Sequence, residues 1–315
     1  MPISQRKIGE ILNKKVLPKE LSLSELAEFC EFANAKYRDG NPIISDQDYD
    51  FIYLKALKDR SPDHIFFKSI EPEIKGFSEE KSILPEAMLS IDKAYSFDEI
   101  LKWVDRILKS CKELSYDPRT IILKATPKLD GFAGYDDGIK LYTRGDGKKG
   151  SDISRVFQRG LKIFKDTKRG QGPGEIVVKK SYFEKHLSHL FEFPRNFQAS
   201  LIKEKGLDKH AKNAIKNDGA FFVPFNQLPY WKGAIEELKK EFEIIVKKSL
   251  ESVDFDVDGV VFEVLNDEIK SHMGSNRKFI DGRLHLRKIK IKHTLEFYLL
   301  RLKLDELGKL LRLPN

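Results

Sequence analysis

Cysteine is scarce in this chain of 315 residues: there are two, Cys30 and Cys111. They form no close ligand pair of the kind a zinc finger needs. So few thiols fit a reducing, intracellular setting. No run approaches the ~20 apolar residues that span a bilayer. The N-terminus, MPISQRKIGEIL, has no signal-peptide hydrophobic region. These absences read as a soluble, cytoplasmic protein without membrane contact. There is also no internal repeat and no low-complexity tract.

Hydrophobic residues make up 40% of the chain and aromatics 11%, so a packed core can form. The length is too great for one small core and points to about two domains. Formal net charge is +8. A basic surplus favours polyanions such as nucleic acid or nucleotides. A solvated basic surface explains the same count.

Residues 1–78 read as helical. Leu26, Phe29, Cys30 and Ala33 recur at helical spacing after Ser22 and Ser24. A second helix is expected after Ser45 and Asp46, with Tyr49, Ile52, Tyr53 and Leu57 on one face. Residues 71–85, rich in charge, Pro and Gly, read as a linker. FDEILKWVDRILKSCKEL, from Phe97, is an amphipathic helix. From Thr120 onward strands are expected at TIILKATPK, GFAGY, IKLYT, EIVV, AFFVPF, VDGVVFEV and LHLRKIKIK, with Asp136-Asp137-Gly138 as a hairpin turn. Further helices are expected at 181–190, 199–215 and 231–241. The order is a helical cap (1–78), a mixed α+β domain (79–292) and the start of another β unit (293–315).

Within this pattern Lys128 stands in a Lys-x-Asp-Gly sequence at a strand end. Pro127 biases Thr126 to extended geometry, and Asp130-Gly131 turns the chain, which aims the side chain into a cleft. A lysine amine is a nucleophile only when neutral, and its ordinary pKa is about 10.4. Arg144, Lys288 and Lys290, all on or beside expected strands, are the cations that would lower it. The same four-residue pattern recurs at Lys216-Asn217-Asp218-Gly219. That copy lies in a charged run, and its Asp-Gly reads as turn chemistry.

PKLDG followed by Thr143-Arg144-Gly145-Asp146-Gly147 resembles the adenylation domain of NAD-dependent DNA ligases. The resemblance covers almost the whole chain. It implies a nucleotidyltransferase fold of ATP-grasp-like antiparallel sheets, a helical cap that reads the nicotinamide mononucleotide half of NAD, and the first hairpin of an OB-fold at 293–315. By that match Tyr37, Asp46, Tyr49 and Asp50 contact the mononucleotide. MLSIDKAYS places Ser90 and Ile91 at the adenylate pocket, and GEIVV places Glu175 at the ribose. FPRNFQASL places Arg195 near the phosphate and nick end. Asp258 stands in VDGVVFEV, and the last catalytic lysine is Lys290 or, in the alternative register, Lys288. The aromatic under adenine falls near Phe222 or Phe225. Asp130 and Asp258 would orient Lys128 or hold metal and ribose. Magnesium is implied as well, with its ligands left open. Each residue has a plainer reading: Asp258-Gly259 as a bend, Tyr49 as a helix-core aromatic, Glu175 as a solvated turn residue.

The chain departs from the family pattern at several positions. Thr126 stands where the family has glutamate, Glu263 where it has lysine, and Lys36 where it has a tyrosine. Ile202 or Lys203 stands in place of a second arginine. Strand alternation turns Glu263 into the cleft, where Lys288, Arg287 or magnesium is the expected partner. The function implied is formation of lysyl-AMP from NAD, then transfer of AMP to a 5′-phosphate in nicked double-stranded DNA during replication and repair. A second chain, or a longer parent, would supply the OB-fold and other DNA-binding domains. The rival readings are an ATP-dependent ligase or capping-type nucleotidyltransferase, and a degenerate DNA-binding accessory subunit.

Overall fold

A computed structural model of the chain describes residues 3–38, 41–45, 48–68, 81–203, 206–274 and 279–287. Asp46, Lys288, Lys290 and the expected OB hairpin at 293–315 lie outside the described residues.

The N-terminal part is helical, as its periodicity indicates. Helices Gln5–Leu12 and Leu23–Arg38 are followed by a wide π turn, Tyr49–Leu54, which runs on as an α-helix, Lys55–Arg60. Ser45 Oγ accepts a hydrogen bond from Asp48 N where the second helix begins. Ile8, Ile11, Leu26, Phe29, Tyr53 and Leu57 close a core of their own.

Among the described residues twelve strands follow: β1 Lys81–Ile83, β2 Ser90–Ala94, β3 Ile122–Leu129, β4 Phe132–Asp136, β5 Leu141–Thr143, β6 Lys149–Ser151, β7 Lys162–Ile163, β8 Gly172–Val178, β9 Ala220–Pro224, β10 Trp231–Ala234, β11 Val257–Val264 and β12 Phe279–Arg287. They form two five-stranded sheets, ordered β10-β3-β11-β12-β2 and β5-β4-β8-β9-β7, and a small β1-β6 ribbon. Most pairs are antiparallel, but β12–β2 and β7–β9 are parallel, so the sheets are mixed rather than wholly antiparallel.

The first sheet is backed by helices Phe97–Glu113, Ile235–Glu251 and Asp267–Met273. Trp103, fully buried, packs there with Phe262, and Trp231 leans on the edge of the same core. Helices Lys180–His186, Pro194–Ile202 and Lys209–Lys216 cover the second sheet, over Phe222 and Ile176, with Phe197 of the second helix in the same core. Leu129, Val177, Val223 and Val257 pack the two sheets together at one end. On β3 the alternation expected of a half-buried strand sends Leu123, Ala125 and Leu129 inward, while Lys124, Thr126 and Lys128 are half-buried and line the cavity.

Three local expectations are corrected. Residues 231–234 are a strand paired with β3 and only then a helix. The helix expected over 199–215 is two, because Asp208 caps a fresh start by accepting from the His210 and Ala211 amides. Within the expected linker, Lys81–Ile83 pairs with Lys149–Ser151.

Candidate active site

A cavity of about 1330 Å³ lies between the helical cap and the two sheets. Its walls include Tyr37, Tyr49 and Asp50 from the cap, and Ser90, Ile91, Thr126, Lys128, Asp130, Arg144, Glu175, Arg195 and Asp258 from the sheet domain. The expected site residues in the described segments thus share one cavity, with one exception. Phe222 is fully buried and belongs to the core behind the second sheet. It is the middle residue of β9 and alternates away from Phe221 and Val223; of the two candidates it is Phe225, just past the strand, that lines the cavity.

Lys128 ends the exposed row of β3. Its Nζ donates to Asp258 Oδ2 at 3.0 Å, and its side chain is 34% exposed, into the cavity. A β-bulge delivers that partner. The β3–β11 register slips between Val257 and Gly259, which turns Asp258 to the cavity although strict alternation would send it inward with Val260 and Phe262. Gly259 permits this because a Cβ there would meet Leu286 O at 2.0 Å. Gly131 of the lysine motif is needed in the same way: a Cβ would lie 2.3 Å from Ile176 O, where β4 leaves β3 and crosses β8.

The electrostatics around Lys128 differ from the expectation. Burial pushes its pKa down, but Asp258 and Glu175 pull it up further, so it lies above the ordinary lysine value. The neighbour in contact is a carboxylate, Asp258, rather than a cation. Arg144 does line the cavity, but its guanidinium is held elsewhere: Nε donates to Met88 O at 2.8 Å and Nη2 to Ser90 Oγ at 2.7 Å. Burial opposes ionisation of Asp258, yet Lys128 and Arg287 hold it well below the usual carboxylate range. Burial raises Glu175 to about 7.

The cap meets this site at two points. Tyr37 donates its hydroxyl to Asp130 Oδ1 at 2.6 Å. Arg195 donates to the Tyr37 carbonyl at 3.0 Å and to the same Asp130 oxygen at 3.3 Å. Its guanidinium lies between the Tyr37 and Phe132 rings, 4.0 and 4.4 Å from their centroids. At the second point Asp50, fully buried, accepts from Lys93 Nζ at 3.2 Å and pairs with Arg287. Tyr49 donates to Cys30 O at 3.3 Å while facing the cavity.

Glu263 lines the cavity, as alternation requires, but its partners are not those expected. Lys270 Nζ and Arg283 Nε donate to its Oε1 at 2.9 and 2.8 Å. The register explains this: Arg283 stands directly opposite Glu263, whereas Arg287 stands opposite Gly259. Glu263 is also four strand positions from the level of Lys128, about 13 Å at strand rise. Its charge is therefore set well along the cavity from the nucleophile.

Sequence reasoning missed the basic face of β12. Arg283, His285 and Arg287 alternate with Leu284 and Leu286, and all three basic residues line the cavity. The period-two pattern RLHLR was the available signal. The second Lys-x-Asp-Gly is a turn: Lys216 is exposed at a helix end, Asp218 takes a positive φ of 51°, and Asp218 pairs with Lys162 at 2.8 Å.

Residues 80–222 match the family described as the NAD-dependent DNA ligase adenylation domain. The chain is 65% identical over 260 residues to a DNA ligase of Ruthia magnifica subsp. Calyptogena magnifica, covering 82% of this chain and 42% of that protein. It is 61% identical over 277 residues to a DNA ligase of Vesicomyosocius okutanii, covering 88% and 44%. It is 48% identical, again over 277 residues, to a DNA ligase of Shewanella baltica, covering 88% and 42%. The chain spans about two fifths of the length of these relatives.

Proposed function

We propose that the chain works as an NAD-dependent DNA ligase adenylation domain, on the match over residues 80–222 and the likeness to DNA ligases, and that Lys128 takes the adenylyl group of NAD. The Lys128 amine, once it has given up a proton, attacks the adenylyl phosphorus. An N–P bond forms, the bridging P–O bond breaks, and nicotinamide mononucleotide leaves with the electron pair. The observation that carries this reading is the placement of Lys128 inside the cavity between cap and sheets, at 3.0 Å from Asp258.

In this reading residues 1–78 hold the departing mononucleotide through Tyr37, Tyr49 and Asp50, and residues 79–292 hold the adenylate. Arg144 and Arg195 supply preorganised positive charge near the phosphates, and Ser90, Ile91 and Glu175 receive the nucleoside. Among the described residues no three His, Cys, Asp or Glu gather to hold a metal ion. A magnesium ion bound through nucleotide phosphates and water needs no such cluster, and no step here is routed through it. The acceptor of the AMP is the 5′-phosphate of nicked DNA.

Intact-mass measurement after mixing with NAD and magnesium tests the reading. The expected result is a gain of one AMP, lost in Lys128→Ala and kept in Lys216→Ala. A gain with ATP in place of NAD would point to an ATP-dependent transferase. No gain with either would leave a DNA-binding subunit without this chemistry.

A further inference from the structure

Asp258 Oδ2 has two cationic partners. Lys128 Nζ is 3.0 Å away and Arg287 Nη1 is 2.8 Å away. The other arm of the same guanidinium, Nη2, pairs with Asp50 of the cap. Four groups therefore form a chain from cap to nucleophile: Asp50, Arg287, Asp258, Lys128. All but Lys128 are at most 8% exposed, so water screens these charges poorly. His285 Nε2 lies 3.2 Å from the other Asp258 oxygen, and burial lowers its pKa to about 4, so it stays neutral and does not compete.

We propose that Arg287 is a positioning residue that couples the docked cap to the reactivity of Lys128. While Asp50 neutralises one arm of the guanidinium, Asp258 keeps its hold on Lys128 and the amine stays charged. When the Asp50 carboxylate is removed, or drawn away with the cap, the whole guanidinium charge bears on Asp258 and on the ammonium beside it. Lys128 then gives up its proton more readily. Removing Arg287 does the reverse, leaving Asp258 to Lys128 alone. Asp50 reaches Lys128 through Arg287 in this arrangement, its other partner being Lys93 at 3.2 Å, so the two substitutions are not additive.

The inference rests on Lys128 being the nucleophile of the proposed reaction, but its test needs no NAD. The full chain is treated at fixed pH with a limiting amount of an N-hydroxysuccinimide acetate ester. The amine attacks the acetyl carbon, an amide C–N bond forms, the ester C–O bond breaks, N-hydroxysuccinimide leaves as its anion, and the amine proton is released. Peptide mass spectrometry reads acetylation of Lys128 relative to exposed Lys216 in the same molecule. Relative to the native ratio, Asp50→Asn is expected to raise it by about threefold or more and Arg287→Ala to lower it by a similar factor, as befits a charge change a few ångströms away. Asp50→Asn/Arg287→Ala should label as slowly as Arg287→Ala. Both single substitutions break the same contact with the cap, so loosening of the cap alone would speed labelling in all three variants. Faster labelling of Arg287→Ala than of the native chain, or a double variant as fast as Asp50→Asn, overturns the proposal. If Arg287→Ala does not fold, Arg287→Gln carries the same expectation. Failure to form lysyl-AMP would end the adenylation reading without altering the labelling order.

Discussion

At the scale of single residues, Glu175 makes a pH-dependent contribution whose sign follows from burial. Its folded pKa is about 7 against an ordinary 4.5. A raised folded pKa means the favourable protonated state is fully present below the unfolded value and is lost as pH rises through the folded one. The native chain should therefore lose stability between about pH 4.5 and 7, by up to about 3 kcal/mol. Glu175→Gln should remove that slope, so the gap between variant and native unfolding free energies widens in the variant's favour from pH 5 to pH 8. Parallel denaturant titrations at both pH values read this, and a constant gap would refute it. Glu263 gives a second expectation. Its carboxylate is the shared partner of Lys270 and Arg283, and Lys124 faces it across β3. Glu263→Lys would gather four cations and leave only the exposed Asp267, 4.0 Å from Lys270, beside them. It should cost about 3 kcal/mol, as breaking a buried pair does, and should not speed lysyl-AMP formation. Denaturant unfolding and the initial rate with NAD check the two halves.

At the scale of elements, β11 sets the geometry of the site. Gly259→Ala would press a Cβ onto Leu286 O and the His285 ring, forcing β11 and β12 apart next to the Asp258 bulge. A loss of at least about 2 kcal/mol is expected, together with slower adduct formation, since the carboxylate beside Lys128 would shift. A variant with native stability would show that the strands yield easily. The elements also explain what could be read from sequence. β3 and β11 were legible because each carries a local period-two pattern, and Glu263 was turned to the cavity on that basis. β10 was not, because a four-residue strand whose pairing partner lies about a hundred residues away leaves little local signal beside the 17-residue helix that follows it. The resemblance put the adenine aromatic near Phe222 or Phe225 in AFFVPF, and only the fold decides which face each of these apolar residues takes. The link from Asp50 to Arg287 joins residues 237 positions apart in the numbering, so no pattern in either segment announces it.

At the scale of the whole molecule, the cavity and its cap are both present within a chain whose matched segment spans about two fifths of its relatives' length. The expected outcome is a division of steps: the pure chain forms lysyl-AMP but does not seal nicked DNA. A net charge of +8 can give DNA binding that weakens steeply with salt, but such binding does not hold a 3′-hydroxyl within the ~3–3.5 Å that attack requires. A nick-sealing assay with the 315 residues alone is the check, and robust sealing would show that nothing further is needed.

The separate core of the cap has an optical consequence. Both tryptophans of the sequence, Trp103 and Trp231, sit with the core of the first sheet, and none lies among the residues packed into the cap core. Indole emission is thus a reporter of one unit and nearly blind to the other. If the cap melts first, as a small helical unit with its own core can, a fluorescence trace would show a single late transition. Far-ultraviolet dichroism, which sees the cap helices, would begin to fall earlier, and the gap between the two curves would measure how firmly the cap is held.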